Sequence, residues 1–133
     1  MAGKFYCPHC EGRLDIHQYV AFTAKSKSGS MGLLLLSPHL GNYDVWHDEK
    51  FSFTEKELVK YFCPICHHNL TANEFHDHLI KIHMMDDEEN DHVVVFSGVA
   101  GEHATYQFRD EELVDHYGKC SEDYMYLFTQ HRM

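Results

Sequence analysis

The sequence predicts an α+β protein with mostly antiparallel strand pairing, built from β-hairpins and one or two short helices. Between residues 14 and 27, Val20, Phe22 and Ala24 occupy alternate positions, and this period of two is typical of a strand with one buried face. A run of serines with one glycine over residues 26–30 then predicts a tight turn. Residues 71–84 have a helical spacing of apolar side chains instead, so both types of element are expected.

The first half of the chain is predicted to contain strands and turns. Residues 1–6 form a lead-in strand, and residues 31–37 return from the turn to complete a hairpin. Residues 38–42, Pro-His-Leu-Gly-Asn, form a second turn. Further extended segments are expected over residues 43–47, 51–53 and 56–62.

The second half is predicted to begin with a helix. Thr71 and Glu74 match the T-x-x-E capping box. Phe75, Leu79 and Ile82 follow at i, i+4 and i+7, which places them on one apolar face of a helix ending near residue 84. An acidic loop, a hairpin, a short helix and a final strand or helical turn are then expected at residues 86–91, 92–99 with 104–108, 110–117 and 124–128.

Two short stretches are near copies of each other and carry the clearest functional signal. Residues 5–14 and 61–70 each contain an aromatic pair, then C-P-x-C, then a leucine four residues past the second cysteine. A single C-x-x-C is weak evidence for a metal site, whereas two in the same local context predict a tetrahedral thiolate site. The predicted ligands are Cys7, Cys10, Cys63 and Cys66.

The spacing within each motif suits a metal ion. A gap of two residues lets a tight turn aim both thiolates at one point, and Pro8 and Pro64 fix φ at the first position inside each turn. Backbone N–H groups in such turns donate to the sulfur atoms and stabilise their negative charge. Zinc is the expected metal, and iron held by the same four thiolates is the alternative.

With these residues the chain resembles the zinc-ribbon proteins, whose two C-P-x-C knuckles face each other at the ends of β-hairpins. The resemblance implies a ribbon fold around a closed four-cysteine site. This sequence departs from the family pattern after the second cysteine of each motif, where ribbons usually have glycine. Here Glu11 precedes Gly12, and His67 occupies the position in the second motif.

The length of 133 residues suits one domain or two very small ones. The predicted division is a zinc ribbon with inserted hairpins over residues 1–70, followed by an acidic α+β part over residues 71–133. A single compact domain over residues 1–133 is the alternative.

The histidines that follow the second motif offer a different ligand set. Cys63 and Cys66 together with His78 and His83 resemble a two-Cys two-His finger, with a central spacer of eleven residues where twelve is usual. This alternative leaves Cys7 and Cys10 without a role, or requires a further ligand pair such as His17 with His39. The four-cysteine site explains both motifs at once. The finger is therefore the second choice. Binding of a second metal by His76, His78 or His83 is neither predicted nor excluded by the sequence.

Other roles for the cysteines are less favourable. A redox C-x-x-C should open a long helix, but residues 11–14 lead into a strand pattern. Cys120 is left over, and its pairing with His116 as a nucleophile and base is interrupted by Gly118. No catalytic constellation stands out, so the chain is not expected to be an enzyme.

Charge is distributed unevenly and bears on the kind of partner. Residues 1–47 carry four basic and three acidic side chains, whereas residues 48–133 carry seven basic and eighteen acidic ones, a net charge of −11. Nucleic-acid binding depends on clustered Lys and Arg, so such partners are disfavoured and a protein partner is expected.

Taken together, these features predict a small zinc-binding protein with a structural four-cysteine site that acts as a protein-interaction module. A nucleic-acid-binding zinc finger or ribbon and a rubredoxin-like iron electron carrier are the alternatives. Reduced thiolate ligands, and the polar Cys7 and His9 where a signal peptide would be apolar, predict a cytoplasmic location. No apolar run reaches transmembrane length, so no membrane association is expected.

Overall fold

The computed structural model describes residues 3–130. Within this range the chain forms ten β-strands, a 3₁₀ turn at Ser121–Tyr124 and a short helix α1 at Met125–Gln130. The strands are β1 Lys4–Tyr6, β2 Asp15–Ile16, β3 Tyr19–Lys25, β4 Met31–Leu36, β5 Val45–His47, β6 Lys60–Phe62, β7 Leu79–Met85, β8 Asp91–Ser97, β9 Thr105–Arg109 and β10 Glu112–Tyr117. None of the described helices is long and apolar enough to cross a bilayer. The broad prediction of an α+β chain with mostly antiparallel strands is confirmed.

The strands form two antiparallel sheets of five strands each. Sheet A has the order β1-β7-β8-β9-β10, and sheet B has the order β2-β3-β4-β5 with β6 also paired to β3. The inner faces of the sheets meet in one buried cluster, in which Phe22 of β3 contacts Phe96 of β8 and Tyr61 of β6. The period of two predicted for β3 is confirmed, because Val20 and Ala24 are buried with Phe22.

Residues 4–36 and 60–96 have the same local structure and form a tandem repeat. In each repeat a short strand leads into a C-P-x-C turn, and a hairpin of two long strands follows. The hairpin turns also correspond, since Gly29 and Glu89 occupy equivalent positions and adopt positive φ values of 96° and 64°. The two motifs in the sequence are therefore the visible part of a longer structural duplication.

The two repeats exchange their first strands. Strand β1 of the first repeat pairs with β7 of the second, where Tyr6 lies opposite His83. Strand β6 of the second repeat pairs with β3 of the first, where Phe62 lies opposite Thr23. Each sheet therefore contains strands from both repeats. The division of the chain at residue 70 stays a prediction.

The helix predicted over residues 71–84 is wrong. Residues 79–85 form β7, which pairs with β1 on one side and β8 on the other. The capping-box residues make other contacts, because Thr71 donates its hydroxyl to Asn69 and Glu74 accepts from Lys81. Ile80 and Ile82 are β-branched and buried on the inner face, so pairing and burial outweigh the local helical spacing.

The helix predicted over residues 110–117 is also wrong. Asp110 and Glu111 have positive φ values of 52° and 66°, which form a two-residue hairpin turn of left-handed backbone. Strand β10 follows at once, with Glu112 opposite Arg109. The strand predicted over residues 51–53 is absent from the described structure, while the hairpin predicted at residues 92–99 and 104–108 is confirmed as β8 and β9.

The outer face of sheet A carries a second buried cluster. Val95 and Tyr106 project from β8 and β9, and the 3₁₀ turn and α1 cover them with Tyr124 and Phe128. The ring centroids of Tyr106 and Phe128 are 4.6 Å apart. Sheet A is therefore packed on both faces at β8 and β9.

A cleft of about 240 Å³ lies between the two sheets and is partly open to solvent. Its inner walls are mostly apolar and include Val20, Phe22, Val59, Val94 and Phe96. Loop residues such as His39 and Asn42 line its outer part.

Candidate metal centre

The four predicted cysteine ligands come together in one cluster. The Sγ atoms of Cys7 and Cys66 are 3.7 Å apart, those of Cys10 and Cys63 are 3.8 Å apart, and all four lie within 4.8 Å of one another. Tetrahedral thiolates about 2.3 Å from a common zinc ion would stand roughly 3.8 Å apart. The observed spacing fits one ion of this size at the centre, so the four cysteines could hold a metal.

Each C-P-x-C turn presents its first cysteine in the same way; residues 7–10 are called knuckle 1 and residues 63–66 knuckle 2. In knuckle 1 the Cys7 sulfur accepts backbone N–H groups from His9 and Cys10, at 3.3 and 3.5 Å. In knuckle 2 the Cys63 sulfur accepts from Ile65 and Cys66, at 3.3 and 3.4 Å. Such bonds stabilise thiolate charge and orient the ligands.

The residue after each knuckle closes the turn with a left-handed backbone. Glu11 has a φ of 60° and donates its N–H to the Cys7 carbonyl, and His67 has a φ of 66° and donates to the Cys63 carbonyl. A side chain in this conformation costs about 1 kcal/mol or more. Both turns therefore adopt the same left-handed backbone although neither has glycine at this position.

Burial and the neighbouring thiols oppose ionisation of Cys7 and Cys10. Burial raises the pKa of the Cys7 thiol to about 12. At Cys10 the Gly12 N–H lowers the pKa, but burial and the neighbouring thiols raise it, and the net direction is up. At Cys63 burial raises the pKa of the thiol, but the backbone N–H groups of Cys66 and Ile65 lower it by more. The net effect is a lowered pKa. Ionising all four thiols at such close range needs a compensating metal charge.

Two histidines that the sequence reasoning did not single out lie against the cluster. His9 and His68 stack with ring centroids 4.5 Å apart and an interplanar angle of 18°. Nδ1 of His68 is 3.4 Å from the Cys66 sulfur. Their positions in the sequence could have indicated this, because His9 lies inside knuckle 1 and His68 follows knuckle 2 by two residues.

Gly12 fixes how closely the two knuckles approach. A Cβ at this position would lie 2.5 Å from Cδ1 of Ile65 and 3.2 Å from the Cys10 sulfur. The side chain of Ile65 in knuckle 2 therefore packs directly over the backbone that follows knuckle 1.

The structure does not bring the histidines of the alternative finger set to the cysteines. His83 lies on β7 opposite Tyr6, and burial lowers its pKa. His78 instead groups with His76 and Asp77, whose ligand atoms lie within 4.8 Å of one another. In that group the His76 Nδ1 already accepts the His78 backbone N–H at 3.0 Å.

The leftover cysteine lies outside the four-cysteine cluster. Cys120 packs at the margin of the second buried cluster, and its backbone N–H donates to the His103 carbonyl. Nδ1 of His116 lies 2.9 Å from the Ser121 hydroxyl.

The chain matches no protein-family model, no curated protein and no solved structure at a significant level. The zinc-ribbon fold therefore stays a prediction, and the case for a metal site depends on the geometry of the four cysteines.

Proposed function

We propose that the chain is a zinc-binding protein in which Cys7, Cys10, Cys63 and Cys66 hold one structural zinc ion, and that it acts as a protein-interaction module. The observation that carries the proposal is the cluster of four sulfur atoms at tetrahedral spacing. Four protein thiolates leave no open coordination position, which is typical of structural and not of catalytic zinc.

The strand exchange gives the metal a clear structural purpose. Knuckle 1 follows β1 and knuckle 2 follows β6, and these are the strands that each repeat lends to the other sheet. One ion bound to both knuckles would fix the two crossing points relative to each other. Zinc is preferred over ferrous iron because nitrogen and sulfur sites bind it more tightly.

Charge supports a protein partner over a nucleic acid. Residues 48–133 carry eighteen acidic against seven basic side chains, and such a surface repels a phosphate backbone. Thiolate ligands persist in a reducing compartment, so the cytoplasm is the proposed location.

The test of the metal site is elemental analysis of the purified protein combined with a thiol count. We expect one zinc per chain, and loss of the metal with loosening of the fold in Cys10→Ser, because bound zinc supplies about 10 kcal/mol or more of folding free energy. Cys120→Ser is the matched control and should keep the full zinc content. Full zinc content in Cys10→Ser would refute the four-cysteine assignment.

The same preparation separates the alternatives. A red protein that contains iron would favour the electron carrier. Zinc loss in the His78→Ala, His83→Ala double variant, with Cys7 dispensable, would favour the finger. Tight and salt-sensitive binding of random duplex DNA at physiological ionic strength would favour the nucleic-acid class.

A further inference from the structure

The tandem repeat permits a comparison of two equivalent surfaces, the outer faces of sheets A and B. In the first repeat Leu35 of β4 lies opposite Trp46 of β5. In the second repeat Val95 of β8 lies opposite Tyr106 of β9. Both pairs point away from the core between the sheets, so Leu35 corresponds to Val95 and Trp46 corresponds to Tyr106.

In the second repeat this surface is covered by the chain's own helical segment. Val95 and Tyr106 are fully buried under residues 121–130. Phe128 packs on the Tyr106 ring, and the Tyr106 hydroxyl donates to the backbone carbonyl of Ser121. Tyr124 and Phe128, four residues apart, supply the apolar stripe that meets the sheet.

In the first repeat the equivalent surface is uncovered. Trp46 is 42% exposed and Leu33 is 51% exposed, and Tyr19 packs edge-on against the Trp46 ring at 4.8 Å. Met31 and Ile16, at the two ends of the same face, are 59% and 55% exposed. This contiguous set of large apolar side chains is called the open face. Exposed apolar patches of this kind mark interaction sites.

We propose that the open face binds an amphipathic α-helix of a partner protein, with aromatic or large aliphatic residues at i and i+4 and acidic residues beside them. The proposal rests on the proposed function as an interaction module and names its binding surface. The second repeat supplies the template, because residues 121–130 show which kind of segment this surface accommodates. The indole N–H of Trp46 would donate to a helix backbone carbonyl as the Tyr106 hydroxyl does.

Charge at the open face favours an acidic helix. Lys25 of β3 lies directly opposite Lys60 of β6, and both are exposed. In the described part of the chain neither lysine forms an ion pair with a carboxylate. Two like charges directly across a strand pair are unfavourable until an anion neutralises them. In a chain of net charge −10, this basic pair beside an apolar face is complementary to acidic side chains.

The probe is a synthetic peptide of residues 121–130, Ser-Glu-Asp-Tyr-Met-Tyr-Leu-Phe-Thr-Gln. It carries Tyr124 and Phe128 with two acidic residues just before them, and a staple through positions 126 and 130 keeps so short a peptide helical. Fluorescence anisotropy with the full-length zinc-loaded protein measures its binding. We expect saturable binding that weakens at least tenfold in Leu33→Asp and in Trp46→Ala, and that weakens with added salt.

The matched control is Val114→Asp, which introduces the same charge at a side chain that is 52% exposed on β10 of the other sheet. Its affinity for the peptide should stay within twofold of the parent. Zinc content and circular dichroism of each variant establish that the fold is intact, so failure of the metal site is scored separately from failure of the open face.

Three outcomes would overturn the proposal. The first is peptide binding that is equal in the parent, Leu33→Asp and Trp46→Ala. The second is no binding at all by a folded, zinc-loaded parent. The third is a protein dimer, seen by analytical ultracentrifugation and abolished by Leu33→Asp, which would assign the open face to a second copy of this chain.

Discussion

Replacing Val94 with isoleucine is expected to stabilise the protein, because the added methyl group would enter the cleft between the sheets. Val94 is 1% exposed on the inner face of β8 and lines this cleft of about 240 Å³. Its neighbour Val95 is fully buried on the outer face of the same strand, among Tyr106 and Phe128. Val94 therefore borders unfilled space, whereas Val95 is surrounded by packed side chains.

The expected magnitude follows from the apolar surface that the added methyl group buries. Burial of one further methylene contributes about 0.8 kcal/mol. Some of this gain is lost as neighbouring side chains adjust, so we expect the free energy of unfolding to rise by roughly 0.5 kcal/mol for Val94→Ile. Where no such space exists, the same change forces strain and costs about 1–3 kcal/mol.

The assay is equilibrium unfolding in guanidinium chloride with saturating zinc and a reductant, and the matched control is Val95→Ile. If the free energy of unfolding falls with denaturant concentration at the same slope in all variants, the shift in midpoint measures the change in stability. Val94→Ile should unfold at higher denaturant than the parent and Val95→Ile at lower denaturant. A destabilised Val94→Ile, or the same sign for both variants, would refute the reasoning from the cleft.

Two further predictions concern acid sensitivity and the strand exchange. The side chain of His92 and the N–H of Asn90 lower the pKa of the Asp86 carboxyl. The contribution of this carboxylate to folding stability is therefore full above its unfolded pKa, near 3.8, and is lost as the pH falls towards its lower folded pKa. The stability difference between the parent and Asp86→Asn, measured by urea unfolding, should shrink as the pH falls below about pH 4; a difference that does not change over this acidic range would contradict this. Because each repeat lends a strand to the other, fragments 1–56 and 57–133 should be unfolded alone and assemble when mixed with zinc, as followed by amide chemical-shift dispersion; a fragment 1–56 that folds alone would contradict the exchange.

The parts of the structure that the sequence predicted well are those set by short-range chemistry. The paired C-P-x-C motifs predicted a cluster of four cysteines because two-residue turns aim both thiols inward, and the cluster is present. The alternation through Val20, Phe22 and Ala24 predicted the inner face of β3, and the breakers between residues 26 and 30 predicted the turn that follows. In each case neighbours in sequence are enough to determine the outcome.

The errors arose where distant pairing decides the conformation. Leu79 and Ile82 fit a helical face, yet Ile80, Ile82 and Met84 equally fit the inner face of a strand, and the flanking strands β1 and β8 select the strand. Likewise, an acidic start at Asp110 suits a helix N-terminus as well as a left-handed hairpin turn. Without knowledge of the neighbouring strands, the local pattern does not distinguish these outcomes.

The duplication beyond the knuckles was hidden for a physical reason that also bears on function. Equivalent inner positions need only be apolar and of suitable size, so Leu34 can correspond to Val94 and Phe22 to Ile82 without sequence similarity. Outer positions diverge further, because one face is buried under α1 and the other is exposed. The open face nevertheless carries Trp46 and Leu33, whose side chains are 42% and 51% exposed. Large apolar side chains that are grouped and exposed in this way point to a partner that covers them.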